Sequence, residues 1–254
     1  MVPDLELLAE LVATSPAVHT WPGRGRSSVA ISDAEAVIGP LPASFRWWLA
    51  THGQGRIDGA SVLTTVPPPP PEPADEPDPA AAPDDLTRAR TGDRLAFLPA
   101  SDCGDSYSFA LDQWTGRECP VIRRDHLTGE EERVADSFAG FLAVRTALAL
   151  GLREGPNPTV ARLWRATPGV LRPDGRHLYG PHTIQERNAT FEVPRYAPHW
   201  VLVGDDSGGG GYLMRRHGRD RTAVHRVDLG ALGADPGTEG EWLTDDLLGW
   251  VGAR

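Results

Sequence analysis

Apolar positions along the chain change period several times. From Asp4 to Thr14 they recur at helical spacing, with Leu5, Leu8, Leu11 and Val12 on one stripe. Ser32 followed by Glu35 has the spacing of a capping box and predicts a second short helix. Pro42 suits the first position of a third helix and Gly53 its end, with Phe45, Trp48, Leu49 and His52 on one face. Trp47 points away from that face. Burial under a neighbouring loop is the commoner fate of such a residue, and an exposed contact anchor is the alternative. Residues 67–85 hold five consecutive prolines and six acids, with almost nothing apolar to bury. They predict an extended or disordered acidic insert.

From Arg94 to Arg124 short apolar runs containing Leu95, Phe97, Tyr107, Phe109, Leu111, Val121 and Ile122 alternate with Gly/Asp turns, which predicts strands. Ser137 is placed to cap a helix whose buried stripe is Phe138, Phe141, Leu142 and Leu148. Gly151, Gly155 and Pro156 mark a boundary. The second half repeats this order. A helix is expected over 159–167, stopped by Pro168-Gly169. Strands are expected around Phe191–Val193, Trp200–Val203, Tyr212–Arg215 and Val224–Val227, and then a helix capped by Thr244 and running through Val251.

The repetition reaches single residues. Asp102 to Leu111 matches Gly204 to Met214, and Val121 to Asp125 matches Val224 to Asp228. Asp136-Ser137-Phe138-Ala139-Gly140-Phe141-Leu142 matches Asp245-Asp246-Leu247-Leu248-Gly249-Trp250-Val251. The fold expected is α+β, with two related modules, each a curved, mostly antiparallel sheet with flanking helices. The expected domains are 1–155, carrying the insert at 67–85, and 156–254, shortened at its start.

Charge narrows the function. The formal net charge is −10, and all 25 basic residues are arginine. Residues 1–155 carry 23 acids and 13 arginines, against 12 of each in 156–254. An acidic first half disfavours nucleic-acid binding, which needs a basic footprint, and favours a basic protein partner. Two cysteines, Cys103 and Cys119, make no disulfide framework. No apolar run has transmembrane length and no signal peptide is visible, so a cytoplasmic, non-membrane protein is expected.

The chemistry on offer is incomplete. Asp206-Ser207-Gly208-Gly209 is similar to the nucleophile motif of trypsin-like proteases, yet the sequence provides no matching histidine motif or disulfide set. Gly104-Asp105-Ser106 lies between strands, not before a helix. The run Gly208–Gly211 is followed by a strand pattern, which suits a tight hairpin better than a phosphate loop. The paired carboxylates Asp102/Asp105 and Asp205/Asp206 offer too few oxygens for calcium and suit Asx turns. His177 and His182 lack further ligands at zinc spacing. No catalytic residue, metal or cofactor is expected.

The ordered set of these features resembles the SUKH superfamily of SMI/KNR-like proteins. Leu41-Pro42-Ala43-Ser44-Phe45-Arg46-Trp47-Trp48-Leu49-Ala50-Thr51-His52-Gly53 is similar to its Leu-Pro-x-x-aromatic helix. The Gly104-Asp105 turn, the Val121 strand and the Ser137–Leu142 ending follow in the family order. In the second half Glu186-Arg187-Asn188-Ala189-Thr190-Phe191-Glu192-Val193, Gly204-Asp205-Asp206-Ser207-Gly208-Gly209 and Val227-Asp228-Leu229-Gly230 carry it. The resemblance implies a non-enzymatic binding module. Many bacterial members are thought to be immunity proteins that bind and neutralise toxins, and others act in regulation or scaffolding. The partner expected here is a protein, such as a basic toxin, met through Trp47, Asp102, Asp105, Asp205 and Asp206. A serine hydrolase using Ser207 is the remaining alternative.

Overall fold

The computed structural model describes residues 3–65, 85–100, 104–153, 155–218 and 220–252. The expected insert therefore lies almost wholly outside the described residues, as do Asp102 and Cys103. Contacts divide the chain into two compact units, one of Ala17–Phe138 and one of Met1–Pro16 with Ala139–Arg254. The boundary read from the sequence lies at 155/156. Among the described residues no helix is long and apolar enough to cross a membrane.

The chain opens with α1 (Leu5–Thr14), capped by Asp4, whose carboxylate accepts the amides of Glu6 and Leu7 at 2.9 and 3.3 Å. Leu7, Leu8, Leu11 and Val12 are buried while Leu5 is 44% exposed. In the first turn Leu7 thus takes the place expected of Leu5.

The unit of residues 17–138 continues with β1 (Val18–Thr20), α2 (Ser28–Ile38), α3 (Ala43–Thr51), β2 (Gly55–Ile57) and β3 (Ala60–Ser61). The three strands form one small antiparallel sheet in the order β1-β2-β3. The expected Ser32–Glu35 capping box does not form. Ser27 caps α2 instead, accepting the Ala30 amide at 3.2 Å, so Ser32 falls inside the helix. Glu35 is instead half-buried, accepting the Leu41 amide at 3.2 Å and facing Arg46 at 3.4 Å. After the insert come β4 (Arg90–Thr91), β5 (Arg94–Leu98), β6 (Ser106–Ala110), β7 (Val121–Arg124) and β8 (Glu131–Ala135). They make an antiparallel meander in sequence order. Its apolar face and α3 enclose Phe45, Phe97, Phe109 and Phe138, all fully buried. The Phe45 ring lies 5.0 Å from both Phe109 and Phe138, and Phe97 stacks on Phe109 at 4.4 Å.

Next come α4 (Phe138–Ala149), α5 (Pro158–Ala166), β9 (Val170–Leu171), β10 (His177–Leu178), α6 (Ile184–Thr190) and α7 (Val193–Tyr196). In α4 Leu148 is 47% exposed, so the buried stripe runs through Phe138, Phe141, Leu142 and Ala147 instead. The strand expected around Phe191–Val193 is absent. Glu192 has a left-handed backbone, φ 49°, and Pro194 occupies the first turn of α7. Neither fits an extended ladder, although Phe-Glu-Val alone has a strand-like pattern.

The sheet of this second unit is completed by β11 (Trp200–Asp205), β12 (Gly210–Arg215), β13 (Val224–Asp228) and β14 (Glu241–Thr244), with α8 (Pro236–Glu239) before β14 and α9 (Leu247–Gly252) after it. The order is β14-β13-β12-β11-β10-β9, antiparallel throughout. Asp246, not Thr244, supplies the carboxylate that accepts the Gly249 amide at 3.0 Å in the first turn of α9. Thr244 accepts the Asp246 amide one step earlier, at 2.9 Å.

The last four strands of the two sheets carry the same irregularities at matching places. A bulge at Phe97 separates Ala96 and Leu98, and one at Val203 separates Leu202 and Gly204. A second register shift follows Val121 in one sheet and Val224 in the other, residues paired by the sequence repeat. Tyr107 faces Arg123 across β6/β7, and Tyr212 faces Arg226 across β12/β13. Asp125 accepts the Leu127 amide and Asp228 the Gly230 amide, each two residues on and each closing the turn after its strand.

Candidate functional site

Of the carboxylates expected to meet a partner, Asp102 lies outside the described residues, and Asp105, Asp205 and Asp206 are each engaged by other groups of the chain. Asp105 precedes β6. It accepts the His126 amide and faces His126 Nδ1, both at 3.1 Å, with Arg123 at 3.6 Å. The His126 ring contact, then the amide and the guanidinium, hold its carboxyl below the usual range. Asp105, Asp125 and His126 bring ligand atoms within 4.8 Å of one another. Asp125 Oδ1 is nonetheless taken by the Leu127 and Thr128 amides and the Thr128 hydroxyl, at 2.9, 2.8 and 3.1 Å. With Arg123 beside Asp105, the cluster reads as a hairpin cap and not as a metal centre.

The second turn is tighter. Asp206 Oδ2 accepts Arg226 Nε and Nη2 at 2.9 and 2.6 Å, a two-point guanidinium–carboxylate pair. Asp206 Oδ1 accepts the Gly208 and Gly210 amides at 2.9 and 2.8 Å. Partial burial works to raise this carboxyl's pKa, but the guanidinium and the two amides hold it below its usual value. A Cβ at residue 210 would stand 2.3 Å from Asp206 Oδ2 and 2.6 Å from Arg226 Nη2, so the pair needs glycine beneath it. Arg123 and Arg226 thus occupy equivalent strand positions, each holding the aspartate of the preceding turn.

Asp205 ends β11. It takes the hydroxyl of buried Tyr179 and the Ser207 amide, the latter at 2.9 Å. Burial, then the Asp205 contact, pushes the Tyr179 phenol up. Ser207 has a left-handed backbone, φ 56°, and its hydroxyl donates to the Gly175 carbonyl at 3.0 Å. A nucleophilic serine instead gives its proton to a base. Trp47 is half-buried, its ring 5.4 Å from His52. Asp205 and Asp206 share one turn of the second unit, while Trp47 on α3 and Asp105 before β6 belong to the unit of residues 17–138.

His182, packed against Gly180, carries a testable electrostatic signature. Its side chain is 4% exposed, and neither ring nitrogen has a hydrogen-bond partner. Glu10 approaches only to 3.9 Å and is itself 62% exposed, too weak a partner to offset the burial. Burial, with a smaller push from His177, lowers the imidazole pKa to about 4. The unfolded chain takes up a proton near pH 6.5, whereas the fold resists until about 4. Stability is therefore fully present above pH 6.5 and lost as pH falls toward 4. The predicted loss from this residue is about 2–3 kcal/mol at pH 4.5. Urea unfolding of wild type and His182→Leu at pH 7.5 and 4.5 measures it. An unchanged difference between the two proteins would show that the imidazole is not kept neutral by the fold.

Cys119 is free and buried, with burial pushing its thiol up to about 12, which removes it as a nucleophile near neutral pH.

One surface was not singled out from the sequence. Across the small sheet His19 pairs with Arg56 and Arg56 with Ser61, forming one row. Beside it opens a cleft lined by Trp21, Arg24, Gln54, Gly55, Ser61 and Val62. Trp21 is 37% exposed. Its ring meets His19 edge-on at 4.9 Å, and the Arg56 guanidinium lies 5.8 Å from its centroid. The loop carrying Arg24 is seated firmly. The Arg26 amide bonds the Leu49 carbonyl at 2.8 Å, and Arg26 Nε bonds Thr64 Oγ1 at 2.9 Å. A Cβ at residue 53 would lie 1.9 Å from the Arg24 carbonyl oxygen, and one at residue 25 would lie 2.3 Å from that of Ala50. Glycine at both places lets the loop press onto the end of α3. The available signal was Trp21-Pro22-Gly23-Arg24-Gly25-Arg26, a compact basic and aromatic run in an otherwise acidic half.

No protein-family model matches the chain, and no curated protein matches it.

Proposed function

We propose that this chain is a non-enzymatic protein-binding protein of the SUKH kind, an immunity-type protein that binds and neutralises a toxin in the cytoplasm. The observation that carries the reading is the recurrence of one meander. The two copies share two bulges, a cross-strand Tyr–Arg pair and an aspartate–arginine turn, in the order on which the resemblance rests. In this reading the Asp/Gly/Ser turns are scaffold. Their carboxylates stabilise hairpins, and function falls to the surfaces between them.

The experiment is co-expression with each toxin encoded beside the gene. The expected outcome is restored growth together with a toxin complex that survives size-exclusion chromatography. Failure to rescue against all of them removes the immunity reading.

The hydrolase alternative rests on Ser207. Its hydroxyl bond to the Gly175 carbonyl predicts no labelling of the wild type by a fluorophosphonate probe. Labelling that disappears in Ser207→Ala would overturn the non-enzymatic reading. A scaffolding protein would instead lose its partner on deletion of residues 67–85, a change that leaves toxin neutralisation intact under the reading proposed here.

A further inference from the structure

We infer that the Trp21 cleft is a docking site for an acidic, proline-containing peptide segment of the partner protein; the inference rests on the protein-binding reading above. Its first ground is charge. Arg24 and Arg56 are exposed, and among the described residues neither has a carboxylate ion partner. Asp105 and Asp206, by contrast, are spent on Arg123 and Arg226. The chain's net charge of −10 would steer basic partners from a distance, but exposed charges are screened beyond a Debye length of about 8 Å at physiological salt. At contact range the cleft presents cations.

The second ground is shape and composition. The cleft is lined by Trp21, Arg24, Gln54, Gly55, Ser61 and the buried Val62, and the Arg56 guanidinium lies 5.8 Å over the Trp21 ring at its side. An indole flanked by hydrogen-bond donors suits an extended segment in which proline rings stack on the aromatic and carboxylates meet the arginines. The third ground is preorganisation. The Arg24 loop is fixed by the Gly25 and Gly53 contacts and by the Arg26 bonds, so docking orders little further backbone.

The test titrates the full chain with a short Glu-Pro repeat peptide and with its Gln-Pro counterpart, following heat by calorimetry at low salt. The Glu-Pro peptide should bind and the Gln-Pro peptide should bind more weakly. The double variant Arg24→Gln/Arg56→Gln should lose about tenfold in affinity, the sum of two exposed ion pairs. Trp21→Ala should weaken binding further, and Asp105→Asn should not change it. Circular dichroism checks that the surface variants remain folded.

Residues 66–84 are themselves acidic and proline-rich, so the titration is repeated without them. Arginine-dependent binding in either background supports the site. Binding that ignores both arginines, or a Gln-Pro peptide that binds equally well, overturns it. Toxin neutralisation without arginine-dependent peptide binding would sink the cleft alone. Peptide binding without neutralisation would sink the immunity reading alone.

Discussion

Replacing Asn188 by alanine should lower stability by about 3 kcal/mol with an unchanged urea m-value. The reason lies at an interrupted sheet edge. β10 pairs with β11 only through Leu178↔Gly204 and His177↔Asp205. Beyond that point Asn188, on α6, takes the place of a strand. Its Oδ1 accepts the Leu202 amide at 3.0 Å, and its Nδ2 donates to the Leu202 carbonyl at 2.8 Å. The same Nδ2 reaches the Ile184 carbonyl at 2.8 Å. One side-chain amide thus satisfies both backbone groups of a residue that is itself fully buried. Alanine leaves both unpaired. Asn188→Asp should be worse, because a carboxylate would face two carbonyl oxygens in a buried site. A measured loss below about 1 kcal/mol for the alanine variant would mean that water or a backbone shift replaces these bonds.

Glu118→Ala should cost about 2–4 kcal/mol, whereas Glu118→Gln should stay within about 1 kcal/mol of wild type. Helix α3 begins after Pro42, which offers no side-chain cap. The cap comes from the loop between β6 and β7. Glu118 accepts the Ser44 amide on Oε1 and the Ser44 hydroxyl on Oε2, both at 2.8 Å, and the Arg117 carbonyl accepts the Ala43 amide at 2.9 Å. Glu118 is 2% exposed, and burial raises its carboxyl pKa despite the Ser44 bonds. A folded-state pKa above the unfolded value gives stability that is present at low pH and lost as pH rises through it. The Gln variant keeps an acceptor for the Ser44 amide, and the Ser44 hydroxyl can reverse its bond. It should also remove that share of the pH dependence. Chemical denaturation of both variants between pH 4 and 7 checks the pair. Equal losses in Ala and Gln would show that the charge itself, and not the acceptor, holds the end of α3.

Much of the architecture could be read from local pattern. Asp4 before a leucine stripe, Pro42 at the start of α3, and helix α5 over 158–166 follow from caps and helical period. So did the match of Asp136–Leu142 to Asp245–Val251. The sheets place both segments directly after their last strand, β8 and β14, in the same register from Ala135 and Thr244. What misled was equally local. Phe191-Glu192-Val193 has strand composition, but Glu192 turns left-handed and Pro194 begins a helical turn. Strands β1, β2 and β3 are too short for a period of two to show. The Asp/Gly/Ser turns drew attention because their residue types are those of active sites, while the Trp21–Arg26 run drew none.

By itself, then, the sequence determined the α+β class, the order of the meanders and the acidic turns that close them. Those properties depend on residues a few positions apart, whose spacing and caps are visible in one dimension. Tertiary structure alone decided which polar groups are spent inside the fold and which stay exposed. Glu118 is 74 residues from Ser44, and Arg226 is 20 from Asp206. Whether a carboxylate meets solvent or an arginine depends on which strands lie side by side. Among the described residues Arg24 and Arg56 have no carboxylate ion partner beside Trp21, although Asp58 lies in the turn that joins β2 to β3.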